Sequence, residues 1–185
     1  MLKFYSSVLE LKSILINDKV FKRVAKISLF LILTIVGAKI EIPVEPVPFT
    51  LQTLFVVLSG AFLGKKDGFI AQSLYLLMGA IGIPVFAGPL AGFARLIGPT
   101  GGYLLSFPTA AFIAGYFYER WNSIFLLFFA TIISVFSIYV FGVLHLNLFY
   151  LHDFNKSIVA GAAIFSIWEI AKIVTIVFVY KGISR

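Results

Sequence analysis

The chain of 185 residues contains no cysteine, which excludes a disulfide framework, a thiolate metal centre and a thiol nucleophile. Charge is nearly as scarce. Asp, Glu, Lys and Arg make up 12% of the sequence, about half of the roughly 25% usual in soluble domains. Patterns that carry chemistry are missing too. The two histidines, His145 and His152, stand without an HExxH spacing or a carboxylate cluster, so they read as interfacial residues rather than metal ligands. The glycine-rich run 98–103 lacks the Gly-Lys-Ser/Thr ending of a phosphate loop and reads as a tight turn before a helix, at the mouth of a pocket. Nothing here supports an enzyme, a resident cofactor or an ATP-driven step within this chain alone.

What the sequence has in excess is apolar surface: 61% hydrophobic residues and a mean hydropathy of +1.04. The class this implies is an all-α integral membrane protein. At about 20 residues per span, and allowing for loops, the length suits about five or six crossings in one compact bundle. Fifteen basic against eight acidic residues give a net charge of +7, which reads as membrane topology rather than nucleic-acid binding.

Residues 1–23 form a basic lead with Lys3, Lys12, Lys19, Lys22 and Arg23. It reads as a cytoplasmic amphipathic segment lying along the bilayer surface, followed by a single membrane domain over 24–185. Apolar runs predict six spans, at about 24–40, 49–63, 69–78, 102–118, 124–144 and 157–180. The stretch 79–102 holds seven of the fifteen glycines and three of the seven prolines. Its backbone should not be continuously helical, so it must be buried in protein or line a cavity. Together with the proline-rich loop 43–48 it reads as an outer lid over a ligand. With both termini cytoplasmic, eleven basic residues fall inside and Lys39, Arg95 and Lys156 fall outside, a clear positive-inside bias.

The informative charges are those within spans. Glu169 and Lys172 lie in the otherwise apolar sequence SIWEIAK, 166–172. Each costs about 2.5–3.5 kcal/mol at a helix centre if unpaired. Their i,i+3 spacing puts them on one face, as either a structural ion pair or a polar anchor for a ligand. Ser166 and Glu169 also match a capping box, which predicts a helix start at Ser166. Thr50 and Gln52 are placed on the second span and Tyr75 on the third, where single polar groups serve as interhelical hydrogen bonds or ligand contacts. Arg95, in the irregular outer stretch, pairs with lipid headgroups or guards an opening. Phe86, Tyr103 and Trp168 stand out by location.

Three segments, VPFTLQTL at 47–54, LYLLMGAIGIPVFA at 74–87 and GPTGGYL at 98–104, resemble the BioY family, the biotin-specific S components of energy-coupling factor transporters, from about residue 24 to the end of the chain. The resemblance implies a six-helix S-component fold in a prokaryotic cell membrane, with biotin bound near the outer side. It implies partners as well: a transmembrane coupling protein and two cytoplasmic ATPases. The Asp-x-x-Lys pair of the family falls on Glu169 and Lys172, with a glutamate where the family has aspartate. Glu169 would then accept from the ureido group and Lys172 donate to the ligand, with Tyr75, Phe86 and Tyr103 covering the rings. Thr50, Gln52 and Arg95 complete the expected site. The nearest small-x-x-x-small pair on the first helix, where S components dock on the coupling protein, is Thr34 and Ala38. The alternatives are an S component for another vitamin, or a structural membrane protein whose charged pair is only an ion pair.

Overall fold

A computed structural model describes residues 18–88, 91–162 and 166–184. Among these residues the fold is mostly helical, with seven α-helices and a two-stranded ribbon. Helix α1 (Asp18–Lys39) carries an acidic residue in its first turn and a basic one in its last, which suits the helix dipole at both ends. It buries Ile27, Phe30, Thr34, Gly37 and Ala38, a helical stripe, while Leu29, Ile32 and Val36 face outward. Of the basic lead, Asp18–Arg23 are helical and belong to α1; residues 1–17 lie outside the described residues. A helix continues as long as its hydrogen bonds do, whereas the expected boundary followed apolarity alone. Thr34 and Ala38 are fully buried, so that pair faces the bundle rather than a partner.

After α1 the strands β1 (Glu41–Ile42) and β2 (Phe49–Thr50) pair antiparallel, Glu41 with Thr50 and Ile42 with Phe49. Thr50 therefore sits on a strand ahead of the second span, not within it. Helix α2 (Gln52–Ala80) reverses at Gly64, whose φ of 80° and ψ of 172° suit glycine alone. Its limbs, 52–63 and 65–80, run antiparallel, since Gln52 bonds Tyr75 and Ser59 bonds Gln72 across the turn. The Lys65 N–H freed by the reversal donates to the Glu119 carboxylate at 3.0 Å, a cap supplied from another helix. At Gly60 an added Cβ would lie 2.1 Å from the Ala111 carbonyl, so the absent side chain lets helix α4 (Gly101–Tyr118) press into the hairpin.

The stretch 79–102 is more regular than its composition suggests. α2 runs on to Ala80, a short helix α3 spans Phe93–Ile97, and α4 starts at Gly101. Helix α5 (Ile124–Leu146) continues as a π-helix, Asn147–Leu151. His145 thus lies in the last turn of α5 rather than in the connection. Among the described residues, this Ile124–Leu151 unit is the one helix long and apolar enough to cross a bilayer by itself. Its outer face shows Phe125, Phe129, Ile132 and Phe136, while Ala130, Thr131, Ser134 and Gly142 face inward. Apolar residues outside and small or hydroxylated ones inside are the arrangement of helices packed in lipid. The buried hydroxyls of Thr131 and Ser134 bond back to carbonyls four residues earlier, which leaves neither unpaired. The last apolar run is two helices, α6 (Phe154–Gly161), capped by Asp153, and α7 (Ser166–Ile183). The start at Ser166 is the expected one.

Candidate functional site

At the end of the bundle away from Gly64, β2, both limbs of α2, α3, α4, α5 and α7 converge. The i,i+3 spacing on α7 turns Glu169 and Lys172 into this convergence, where they are only 6% and 5% exposed. Lys172 Nζ donates to Glu169 Oε1 at 2.5 Å, to the Thr50 carbonyl at 2.7 Å and to Thr53 Oγ1 at 2.9 Å. An ammonium has three N–H donors, so all three are engaged. Its charge also lies 4.4 Å from the centroid of the Phe49 ring, a favourable cation–π distance. Glu169 accepts in turn from Thr53 Oγ1, at 3.2 Å, and Tyr139 lines the same cavity. Isolated burial of either charge would cost several kcal/mol; pairing and these donors offset it.

A second polar chain runs beside the pair. Thr50 Oγ1 donates to Gln52 Oε1 at 3.0 Å, Gln52 Nε2 to the Tyr75 hydroxyl at 2.5 Å, and that hydroxyl to the Val85 carbonyl at 3.2 Å. Four elements are thereby tied in sequence, each donor meeting an acceptor. Lys39 Nζ holds the Phe86 carbonyl at 2.8 Å, and Val85, Phe86 and Ala87 are buried. That part of the outer stretch is built into the wall.

The cavity between these elements is lined by Phe49, Thr50, Gln52, Thr53, Arg95, Thr100, Tyr103, Tyr139, Glu169 and Lys172, with Leu104, Phe107 and Ile138 among its apolar walls. Six of the expected site residues, Thr50, Gln52, Arg95, Tyr103, Glu169 and Lys172, therefore share one cavity. Tyr75 and Phe86 lie one layer behind it, in edge-to-face contact at 5.4 Å, where they support Gln52 rather than line the space. Tyr103 reaches past the cavity to donate to the Gly161 carbonyl at 2.9 Å. Trp168 packs on the outer side of Phe49, 5.5 Å between centroids. Sequence reasoning passed over Thr53 and Tyr139. Thr53 had a signal, since it lies three residues after Thr50 in the same motif. Tyr139 was hidden in the most apolar helix. Arg95, on α3 in the outer connection, is half-buried. Desolvation pulls its guanidinium below the usual value, with the Glu41 carboxylate opposing. The free space is about 50 Å³, smaller than the roughly 300–1,000 Å³ of small-molecule pockets.

Comparison with known proteins agrees with this architecture. The family model described as the BioY family matches residues 10–185. The chain is 40% identical over 163 residues to a probable biotin transporter BioY of Pyrococcus horikoshii, covering 88% of this chain and 96% of that protein. It is 43% identical over 153 residues to the biotin transporter BioY of Thermotoga maritima, covering 83% and 90%. In fold it is similar to a crystal structure of the S-component for biotin from an ECF-type ABC transporter, with a TM-score of 0.83, 24% identity, and coverage of 91% of this chain and 94% of that one.

Proposed function

The chain belongs to the BioY family, and from that premise we propose that it is a membrane-embedded biotin-binding S component, a transport protein and not an enzyme. The observation that carries the proposal is the buried Glu169–Lys172 pair opening onto a mostly apolar cavity. Biotin has a ureido group with two N–H donors and a carbonyl, an apolar thioether bicycle, and a carboxylate tail. Glu169 keeps lone pairs free beyond those used by Lys172 and Thr53, and accepts a ureido N–H. Lys172 has no spare N–H. The ureido carbonyl takes the place of Thr53, whose hydroxyl is the longest of the three contacts. Phe49, Leu104, Phe107, Ile138 and Tyr139 cover the bicycle. Because the free space is small, the cargo enters by moving wall side chains, and closure around it excludes water from the pair.

In this reading α1, the two limbs of α2, α4, α5 and α6 with α7 make six crossings, both termini are cytoplasmic, and the protein resides in a prokaryotic cell membrane. Support comes from the basic end of the bundle, where Arg23, Lys65, Lys66, Arg120 and Lys181 gather at the Gly64 turn and the helix ends beside it. Energy comes from a transmembrane coupling protein and two cytoplasmic ATPases. Cysteines placed at Ser7 and Ser184 should resist an impermeant thiol reagent in intact cells; outside labelling of either reverses the orientation. The function itself is tested by calorimetric titration of the purified protein with biotin, riboflavin and thiamine. Saturable binding of biotin alone is expected, and binding of another vitamin in its place would refute the assignment.

A further inference from the structure

The donors and acceptors around the cavity are unevenly distributed. On the α7 side each polar group has a partner. On the α3–α4 side three sets of donors have none among the described residues. Thr100 lines the cavity, is only 7% exposed, and its Oγ1 is buried without a hydrogen bond. It stands at the N-cap of α4 yet its side chain caps nothing, so the N–H groups of Gly102 and Tyr103 keep no acceptor among the described residues. These are orphan donors at the positive end of an 18-residue helix, a setting that attracts anions. Arg95 lines the same cavity, and among the described residues no hydrogen bond or ion pair engages its guanidinium. Of the charges in the lining, Arg95, Lys172 and Glu169, the pair on α7 is joined directly, while Arg95 has only the Glu41 carboxylate acting on it from outside the lining, without an ion pair or a hydrogen bond among the described residues.

We propose that Thr100, the amino end of α4 and Arg95 form an anion subsite that takes the carboxylate of the cargo, while Glu169 takes its opposite, neutral end. The inference rests on the biotin-binding reading above. A carboxylate offers two oxygens with about four acceptor positions, matching a wall of donors without acceptors, and Arg95 supplies a charge-assisted contact. The subsite divides recognition in two: polarity of the ring system is read on α7, and the charge of the tail on α3 and α4. A neutral analogue therefore keeps the first half of its contacts and loses the second.

The test compares biotin with biotinamide, whose tail is uncharged, by titration calorimetry on the full chain in neutral-lipid nanodiscs. The wild type should prefer biotin by about tenfold or more, the scale of one charged hydrogen bond. Thr100→Val and Arg95→Gln should each weaken biotin by about tenfold and leave biotinamide within about twofold. Thr100→Ser, which keeps the hydroxyl, should retain the preference. Equal losses for both ligands, or no loss for biotin, would overturn the subsite while the function assignment stands. A preference that vanishes in anionic-lipid nanodiscs assigns Arg95 to lipid phosphate and overturns it as well. If the wild type binds neither ligand, the function reading falls and the subsite with it.

Discussion

At the end of the bundle that carries the Gly64 turn, three cations near the chain reversals bind across them and close the fold. Arg23 makes a bidentate contact with Asp67, Lys65 meets Glu119 at 3.2 Å, and Lys181 bonds Asn122. Beneath them Phe30, Leu58, Ala61, Ala114, Leu127 and Ile176 pack without a cavity-lining charge. At the opposite end the connections are longer, the charges Glu169 and Lys172 are buried, and among the described residues Arg95 and Thr100 keep unused donors. One end spends its polar groups on itself; the other leaves some for a visitor. Surface ion pairs are worth little singly, about 0–1 kcal/mol, so the first end depends on short turns and packing. The second carries groups whose removal costs several kcal/mol, and such cost persists where function needs it.

Breaking the buried pair should give the largest effect and sharpen the contrast most. Glu169→Gln or Lys172→Met strands one buried charge, which costs about 3–5 kcal/mol of stability, and each should weaken biotin at least tenfold. The double variant Glu169→Gln/Lys172→Met should recover stability in a detergent melt but not affinity in a titration. Near-normal biotin affinity in the double variant would remove the pair from the binding site.

Gly64→Ala attacks the other end. Its φ of 80° is costly for alanine, and the new Cβ would meet Glu119 Oε1 at 2.5 Å, so a loss of about 1–3 kcal/mol is expected. The melting temperature should fall while biotin affinity of the folded fraction stays the same; a matching loss of affinity would show that the two ends are coupled. Tyr75→Phe should cost less, about 1 kcal/mol, for a hydrogen bond behind the cavity. Affinity measured beside the melt should drop only slightly, because Gln52 keeps its contact with Thr50.

The smallest effect expected is a pH dependence at Glu119. Burial alone would raise its carboxyl, but the Lys65 N–H, the Lys65 ammonium and Arg120 together hold it below the ordinary 4.5. A depressed carboxylate stabilises the fold above its unfolded value and loses that contribution as pH falls through the folded one. The melting difference between wild type and Glu119→Gln should therefore be full near neutrality and shrink below about pH 4.5. Solvent screening keeps it modest, since the side chain is more than a third exposed. A difference that does not change with pH would mean that the amide caps Lys65 as well as the carboxylate does.

The helices were legible because apolar runs bounded by lysines, glycines and prolines are long enough to be distinctive. The reversal at Gly64 showed in the sequence GKKDG, and the break before Ser166 in its capping pattern. Glu169 and Lys172 were legible because a charge in an apolar run stands out by its cost. Thr53 and Tyr139 were not: a hydroxyl carries no such cost in a helix, where its own backbone can satisfy it. The two-residue strand that moves Thr50 ahead of α2 has no periodicity to detect. The buried setting of Tyr75 and Phe86 behind the cavity depends on how the α2 limbs fold onto the loop.

The sequence by itself determined that this is a helical membrane protein without thiol chemistry, and it picked out the charged pair, because composition and the energy of burying charge are properties of residues taken singly. Only the tertiary structure decided which donors remain unused. Whether Lys172 is saturated, whether Thr100 is orphaned, and whether Arg95 shares a cavity with Glu169 depend on distances between α2, α3, α4 and α7. Hydrogen bonds form over about 3 Å, and residues far apart in sequence meet at that range only when the chain has folded.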